Sequence, residues 1–400
     1  MNNVEIWLWI LLVMLPHNSR TSELLKTYGS ALDAARAMRD GDCTFLTPQE
    51  KQRVERTRTR EVRALMNECE RLGIRIVTLD DEEYPRLLKN IPDPPIVLFV
   101  KGSLARLNAV PSLAVVGPRS PSEYGRNAAD KLCTSLAKDG TALISGLAVG
   151  IDSVVHRSAV NNGGYTVGVL GCGSMVNYPA ENEELKAAII ASGGAVISEL
   201  LPYTSVSAGY FKRRNRIISG LAQGTLVVEA STRSGCLLTA EHTVGQGRVL
   251  MCIPPHDIFA ERFSGVMPLL RGGAVNVFET ADVYNAIASS DSISDLSVTE
   301  QLKHFRKTRD VQPKKTSTKS AEAAMPEVLQ SEPEVRTKPD FSDFSPEEAE
   351  VITQLTEKPL TMDELIDKTG LSHDKICAVV LGLEINDVIT RNQTGTFMLV

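Results

Sequence analysis

No Gly-x-x-x-x-Gly-Lys-Ser/Thr run occurs in this 400-residue chain, which argues against ATP hydrolysis on a P-loop. No Gly-x-Gly-x-x-Gly opens a strand–turn–helix unit either. Gly171-Cys172-Gly173 is only a partial match, so a dinucleotide-dependent dehydrogenase is disfavoured. The seven cysteines are odd in number and lack Cys-x-x-Cys spacing. They read as reduced, cytosolic residues rather than a disulfide frame or a thiolate zinc site. His156, His242 and His256 read as polar or capping residues rather than metal ligands. The longest apolar stretch, Ile6 to Leu15, falls well short of the roughly 20 residues a membrane span needs. Only Glu5 is charged before it, no small-residue cleavage site follows, and Pro16-His17-Asn18 closes it. A buried helix is the expectation, with no membrane partner, no cofactor and no metal.

The 42% hydrophobic content supports a substantial core, and the length suggests two to four domains. Residues 1–72 read as a small helical domain, with helical patterns at Ser22 to Tyr28, Ser30 to Met38 and Pro48 to Leu72. No hairpin glycine lies in Leu15 to Arg20, so packing or dimer contact is expected there rather than DNA binding. Residues 73–288 alternate apolar strands, glycine turns and helices, as in a mostly parallel α/β sheet with helices on both faces. Residues 289–344 carry Lys303, Arg306, Lys307, Arg309, Lys314, Lys315 and Lys319, then glutamates and prolines, and read as a flexible linker. Residues 345–400 recover order: three helices and a hairpin around Gln393-Thr394-Gly395, resembling a winged helix. Ten Asp and Glu against four Lys and Arg make this last segment acidic. Such a surface repels the DNA backbone. The expectation is therefore protein docking or autoinhibition, with the segment covering a basic pocket.

That pocket is announced by Phe211-Lys212-Arg213-Arg214-Asn215-Arg216, four cations within five residues at the expected start of a helix. Basic side chains beside unpaired helix N–H groups suit a phosphate chain. Helical spacing puts Arg213 and Arg216 on one face and turns Arg214 away, and some of these cations are expected to brace Glu199 or Glu229. Three apolar strands end in glycine turns, at Gly117-Pro118-Arg119, Ser145-Gly146 to Asp152, and Gly171 to Gly173. In an open α/β sheet such turns lie at the carboxyl ends of the strands, where ligands bind. Ser234-Gly235 and Thr239 follow a fourth strand.

With these motifs in order over residues 75–280, the chain resembles the DNA-processing protein A family, also called DprA or Smf. The resemblance rests on Val116 to Arg119, Ser145 to Asp152, Gly171-Cys172-Gly173 with Tyr178-Pro179 and Asn182, Phe211 to Leu221, and Ser234 to Ala240 with Gly247-Arg248. It implies a Rossmann-like core that binds single-stranded DNA, forms a homodimer and helps load the RecA recombinase, in the setting of natural transformation, competence and recombination. Departures from the family pattern include Pro118 where serine is usual, which removes a backbone donor and a hydroxyl, and Lys212 where proline is usual, which adds a cation. Pro254-Pro255 replaces Pro-Gly, and the stretch Gly265 to Leu270 lacks its asparagine.

The residues then predict a binding protein rather than an enzyme. Backbone N–H groups at Gly117, Ser145, Gly146, Gly171, Gly173, Ser234 and Gly235 cradle phosphates. Arg119, Lys212, Arg213, Arg214 and Arg216 neutralise them, Asn215 and Thr239 complete the pocket, and Phe211 or Tyr178 stacks on a base. Charge reversal at Arg119 or Arg214 is predicted to abolish strand binding and spare the fold. The alternative is a nucleotide enzyme similar to phosphoribohydrolases of the lonely-guy type, with Arg233 and Glu241 as remnants of its site, although Thr232 to Glu241 lacks the glycine string of that group.

Overall fold

The computed structural model describes residues 1–289, 344–385, 388–391 and 396–399. The linker expected over 289–344 lies almost wholly outside them.

The N-terminal helices are α1 (Asn3–Met14), α2 (Arg20–Tyr28), α3 (Ala31–Asp40), α4 (Pro48–Arg56) and α5 (Thr59–Arg71). Helix α1 carries the apolar run, and Trp7, Leu8, Trp9 and Ile10 are all buried, because the other helices and the sheet surround it. The single helix expected over Pro48 to Leu72 is two helices. Thr57 is extended and its carbonyl accepts a 3.1 Å hydrogen bond from the Trp9 indole, which is incompatible with continuing α4.

Strands β1 (Arg75–Thr78) and β2 (Val97–Gly102) follow, with the short α6 (Arg86–Lys89) between them. Then come β3 (Ser112–Val116), α7 (Glu123–Lys138), β4 (Ala142–Ser145), α8 (Ile151–Asn161), β5 (Thr166–Val169), α9 (Glu183–Ala191) and β6 (Ala195–Ser198). The second half runs α10 (Ala208–Gly220), β7 (Gly224–Val227), α11 (Cys236–Gly245), β8 (Val249–Cys252), α12 (Val266–Arg271), β9 (Val275–Asn276) and α13 (Thr280–Ala288).

All nine strands form one sheet in the order β1-β2-β6-β5-β4-β3-β7-β8-β9. The seven from β6 to β9 are parallel, and β2 joins β6 antiparallel, with β1 antiparallel beyond it. The parallel strands are apolar throughout because both faces are covered. Leu113 and Val115 pack toward α7 and α8, while Ala114 and Val116 face the cluster holding Ile217, Ile218, Leu237 and Ala240 of α10 and α11. The N-terminal helices cover Val97 and Phe99 at the antiparallel edge.

Strand β3 is where the winding of the sheet reverses. The chain winds one way from it, through β4, β5 and β6, and the other way through β7, β8 and β9. At such a reversal the connecting segments leave β3 and β7 in opposite directions and open a crevice at their carboxyl ends.

At the C-terminus, α14 (Pro346–Glu357), α15 (Met362–Thr369) and α16 (His373–Ile385) precede an antiparallel pair, β10 (Ile389–Arg391) and β11 (Phe397–Leu399). Ser345 caps α14 reciprocally with Glu348, and Pro346 sits in the first turn. Helices and hairpin share their own apolar cluster, including Val351, Leu355, Leu365, Ile376, Val380, Leu383, Ile389 and Phe397. This is the winged-helix arrangement expected from the sequence; the turn at Gln393-Thr394-Gly395 lies outside the described residues.

Candidate nucleic-acid interface

A cavity of about 380 Å³ opens at the reversal point. It is walled by Gly117, Pro118 and Arg119 after β3, by Ala148, Val149 and Asp152 after β4, and by Glu229, Ser231 to Cys236 and Thr239 after β7. Helix α10 contributes Phe211, Arg214 and Asn215. Of the site residues expected from sequence, Gly117, Arg119, Phe211, Arg214, Asn215, Ser234, Gly235 and Thr239 line this one cavity. Ser145, Gly146, Gly171, Gly173, Lys212, Arg213 and Arg216 do not.

Arg119 owes its place to Gly150. The latter has φ +83°, and a methyl group there would stand 2.3 Å from the Arg119 carbonyl and 2.4 Å from that of Pro118. Only glycine lets the turn after β4 pack against the turn after β3. The Ile151 N–H then donates to the Pro118 carbonyl at 3.2 Å, locking the two turns together. Arg119 is half-buried and forms no ion pair among the described residues.

Helix α10 begins at Ala208, three residues before Phe211. The cations therefore sit on its second turn rather than at its N-terminus, and the expected juxtaposition of cations with that helix's free N–H groups does not occur. The face assignment from helical spacing holds. Arg213 donates to the His17 carbonyl at 3.3 Å, and Arg216 grips Glu199 at 2.7 and 2.8 Å and Asp93 at 3.3 Å. His17 approaches the same Glu199 at 2.9 Å and stacks on Tyr210 with ring centroids 5.4 Å apart. Burial works to raise the Glu199 pKa, but the Arg216 charge and the hydrogen bonds from His17 and Arg216 bring it down to about 2. Arg213 and Arg216 thus fasten the N-terminal helices to the core. Lys212 is half-buried on α10. Glu229, the other expected brace, instead accepts from the Ser122 hydroxyl and backbone N–H and lies 3.9 Å from Arg262.

Arg214 turns the opposite way and is only 5% exposed. It donates to the Gly146 carbonyl at 2.7 Å and to the Val169 carbonyl, stitching β4 to β5. Burial lowers its pKa to about 10, offset in part by Asp152. Asp152 accepts from the N–H groups of Gly146 and Ala148 at 3.1 and 3.2 Å, and burial raises its pKa against the pull of Arg214. These contacts correct two expectations. The Gly146 N–H is already engaged by Asp152, and the Gly173 N–H by the Thr204 carbonyl at 2.8 Å, so neither is available to a phosphate. A glutamate at Arg214 would place an anion against two carbonyls in a buried site, so its charge reversal would not spare the fold. Ser145 is likewise internal, its hydroxyl donating to the Val115 carbonyl at 2.7 Å. Gly171 serves by packing: a methyl group there would meet the Phe211 ring at 2.7 Å.

The donors open to a phosphate are those around Gly117 and at the start of α11, whose N-cap Gly235 supplies no side-chain cap. That N-terminus faces the cavity through Ser234 and Gly235, with exposed Arg233 beside it. The N–H groups of Ser234, Leu237 and Leu238 already donate to the carbonyls of Ser231, Ser234 and Gly235, so the Ser234 N–H expected to cradle a phosphate is engaged. The N–H groups of Gly235 and Cys236 and the positive end of the helix dipole remain for an anion. Asp152 and Glu229, walls of the cavity, were not anticipated as such; the spacing of Asp152 within the Ser-Gly motif was the only signal. Phe344, Glu348 and Val388 also line the cavity, and no local pattern announces them.

Among the described residues no helix is long and apolar enough to cross a membrane. The seven cysteines are unpaired thiols, and burial raises that of Cys236, beside the cavity, to about 12.

Residues 75–288 match the model of a family described as DNA recombination-mediator protein A, and residues 331–393 match that of the DprA winged helix domain. Over 215 residues the chain is 35% identical to the DNA processing protein DprA of Bacillus subtilis, covering 54% of this chain and 72% of that protein. It is 39% identical over 203 residues to the DNA processing protein DprA of Streptococcus pneumoniae, covering 51% of this chain and 71% of the other. The X-ray structure of DNA processing protein A from Streptococcus pneumoniae superposes with a TM-score of 0.62 at 30% identity, over 71% of this chain and 98% of that one. These likenesses do not favour the phosphoribohydrolase alternative, and Glu241 does not line the cavity.

Proposed function

Because this chain belongs to the DNA recombination-mediator protein A family, we propose that its switch-point cleft cradles the backbone of single-stranded DNA and that the protein presents the strand to the RecA recombinase. The protein is a DNA-processing recombination mediator. The observation that carries the strand-binding reading is Arg119: half-buried and without an ion pair among the described residues, it lines the same cavity as the start of α11, which has no side-chain cap. A guanidinium and a helix N-terminus in one cavity are a combination suited to phosphate. Phe211 supplies an aromatic face at the same cavity for a base.

The cleft acts by binding rather than by bond cleavage. In support, the four carboxylates on its wall are engaged: Asp152 accepts from two backbone N–H groups, Glu229 from Ser122, Glu261 from Ser264 and Glu348 from Ser345. The proposal extends to a homodimer in the cytoplasm, in which two clefts on one strand raise avidity, and to a place in DNA uptake and natural transformation.

The test is fluorescence anisotropy of a labelled oligo(dT) strand and of a duplex across a salt series, followed by RecA filament formation on the strand. Salt-sensitive binding that favours the single strand is the expected result. Equal affinity for duplex, or none for either, would remove the cleft reading.

A further inference from the structure

The winged helix is seated on the cleft. Helix α16, which in this fold commonly enters the major groove of a duplex, packs here against α10. Leu381 of α16 does not belong to the apolar cluster of its own domain. It is 7% exposed because it covers Phe211, itself 6% exposed, within a small cluster completed by Tyr178, Val206 and Ala208. The next residue, Gly382, lies against Arg119: a methyl group there would stand 2.6 Å from Arg119 Nη1 and 3.2 Å from Glu348 Oε1. The Glu348 carboxylate is held in place by its capping role, Oε2 accepting from the Ser345 N–H at 2.9 Å. Its other oxygen and the Arg119 guanidinium both border the Gly382 backbone, without an ion pair between them.

We propose that the acidic C-terminal domain is an intramolecular competitor of nucleic acid, closing the cleft by placing a carboxylate at the phosphate subsite and an apolar side chain at the base subsite. Glu348 brings a carboxylate into the same cavity as Arg119 with no ion pair formed between them, and Leu381 packs on the Phe211 ring on which a base would stack. Both subsites are occupied at once, so strand binding requires the domain to leave. The proposal rests on the cleft being the strand site. The chemistry of the segment fits: ten acidic residues against four basic ones over 345–400 suit a partner of the basic cleft and not a DNA backbone. Closure lowers the apparent strand affinity by the fraction of molecules that are open, so a domain closed nine times in ten weakens binding about tenfold.

The experiment uses the full chain and two variants. Leu381→Glu removes the apolar contact without touching the domain's own core. Glu348→Gln keeps the helix cap, since glutamine also serves a capping box, and removes the charge. Hydrogen exchange is followed at residues 208–214 and along α16, with and without oligo(dT), alongside anisotropy. The expected result is faster exchange of both segments in Leu381→Glu without DNA, faster exchange of α16 in the wild type when oligo(dT) is added, and strand affinity raised about tenfold in Leu381→Glu and less in Glu348→Gln. Saturation of the wild type by oligo(dT) with α16 still protected, and no gain in the variants, would overturn the closure while leaving the strand site standing. A Leu381→Glu protein that is open by exchange yet ignores the strand would overturn the strand site, and the competition with it.

Discussion

Arg216 of α10 and Glu199, just past β6, form a two-pronged ion pair at 2.7 and 2.8 Å in the interior, with His17 on the same carboxylate. The pair joins three parts of the chain: the segment after α1, the loop following β6 and the basic helix. Removing one partner leaves the other charge buried and alone, which typically costs about 3–5 kcal/mol. Glu199→Ala is therefore expected to lose about that much stability in urea unfolding, with the N-terminal helices the first to gain protease sensitivity. An unchanged midpoint would show that the pair is dispensable.

Arg119 and Arg214 share a cavity wall and divide the work. Arg119→Glu is expected to abolish binding of oligo(dT) with little change in melting temperature. Arg119→Ala should reduce the slope of log affinity against log salt by about 0.7, the loss of one phosphate contact on a single strand. Arg214→Glu is expected to yield little folded protein, because it strands the carbonyls of Gly146 and Val169 and buries an unpaired anion, a loss of about 3 kcal/mol or more. Folded, thermally stable Arg214→Glu protein by circular dichroism would contradict that division.

His156 lies beneath the cleft, its Nδ1 2.7 Å from the Thr166 hydroxyl. Burial first, and the nearby Arg214 charge second, lower its pKa from 6.5 to about 3. The unfolded chain therefore takes up a proton near pH 6.5 that the folded chain refuses until about pH 3. The stability this neutral histidine provides is complete above pH 6.5 and is lost as pH falls between those values, by about 1.4 kcal/mol per unit. Glu199, whose ordinary value is 4.5, adds its own loss only below that pH. Urea unfolding of wild type against His156→Gln between pH 6.5 and 4.5 isolates the effect: the variant's stability should be flatter with pH. Parallel curves would show that His156 is not the group responsible.

Much of the core was legible because its determinants are local. Apolar strands such as Leu113 to Val116 and Ala142 to Ser145, each followed by a glycine turn, give a parallel sheet buried on both faces, and Ser345 with Glu348 writes the start of α14 into four residues. The cations of Phe211 to Arg216 were legible as a group, and helical spacing separated Arg213 and Arg216 from Arg214. Their partners were not legible. Spacing gives the angle between side chains around one helix, and says nothing of whether the far side holds a phosphate, Glu199 or two carbonyls.

The sequence by itself determined the α/β class, the glycine turns and the acidity of the last segment, because these follow from side-chain type and short-range backbone freedom, while the winding about β3 is a matter of tertiary structure. Only the tertiary structure decided that Asp152 takes the Gly146 N–H, that Arg214 is an internal strut while Arg119 remains without an ion pair among the described residues, and that Leu381 packs on Phe211 while Glu348 lines the cavity. Each of those facts joins residues distant in the chain, and each is settled by competition among buried polar groups for the few partners that folding brings within reach.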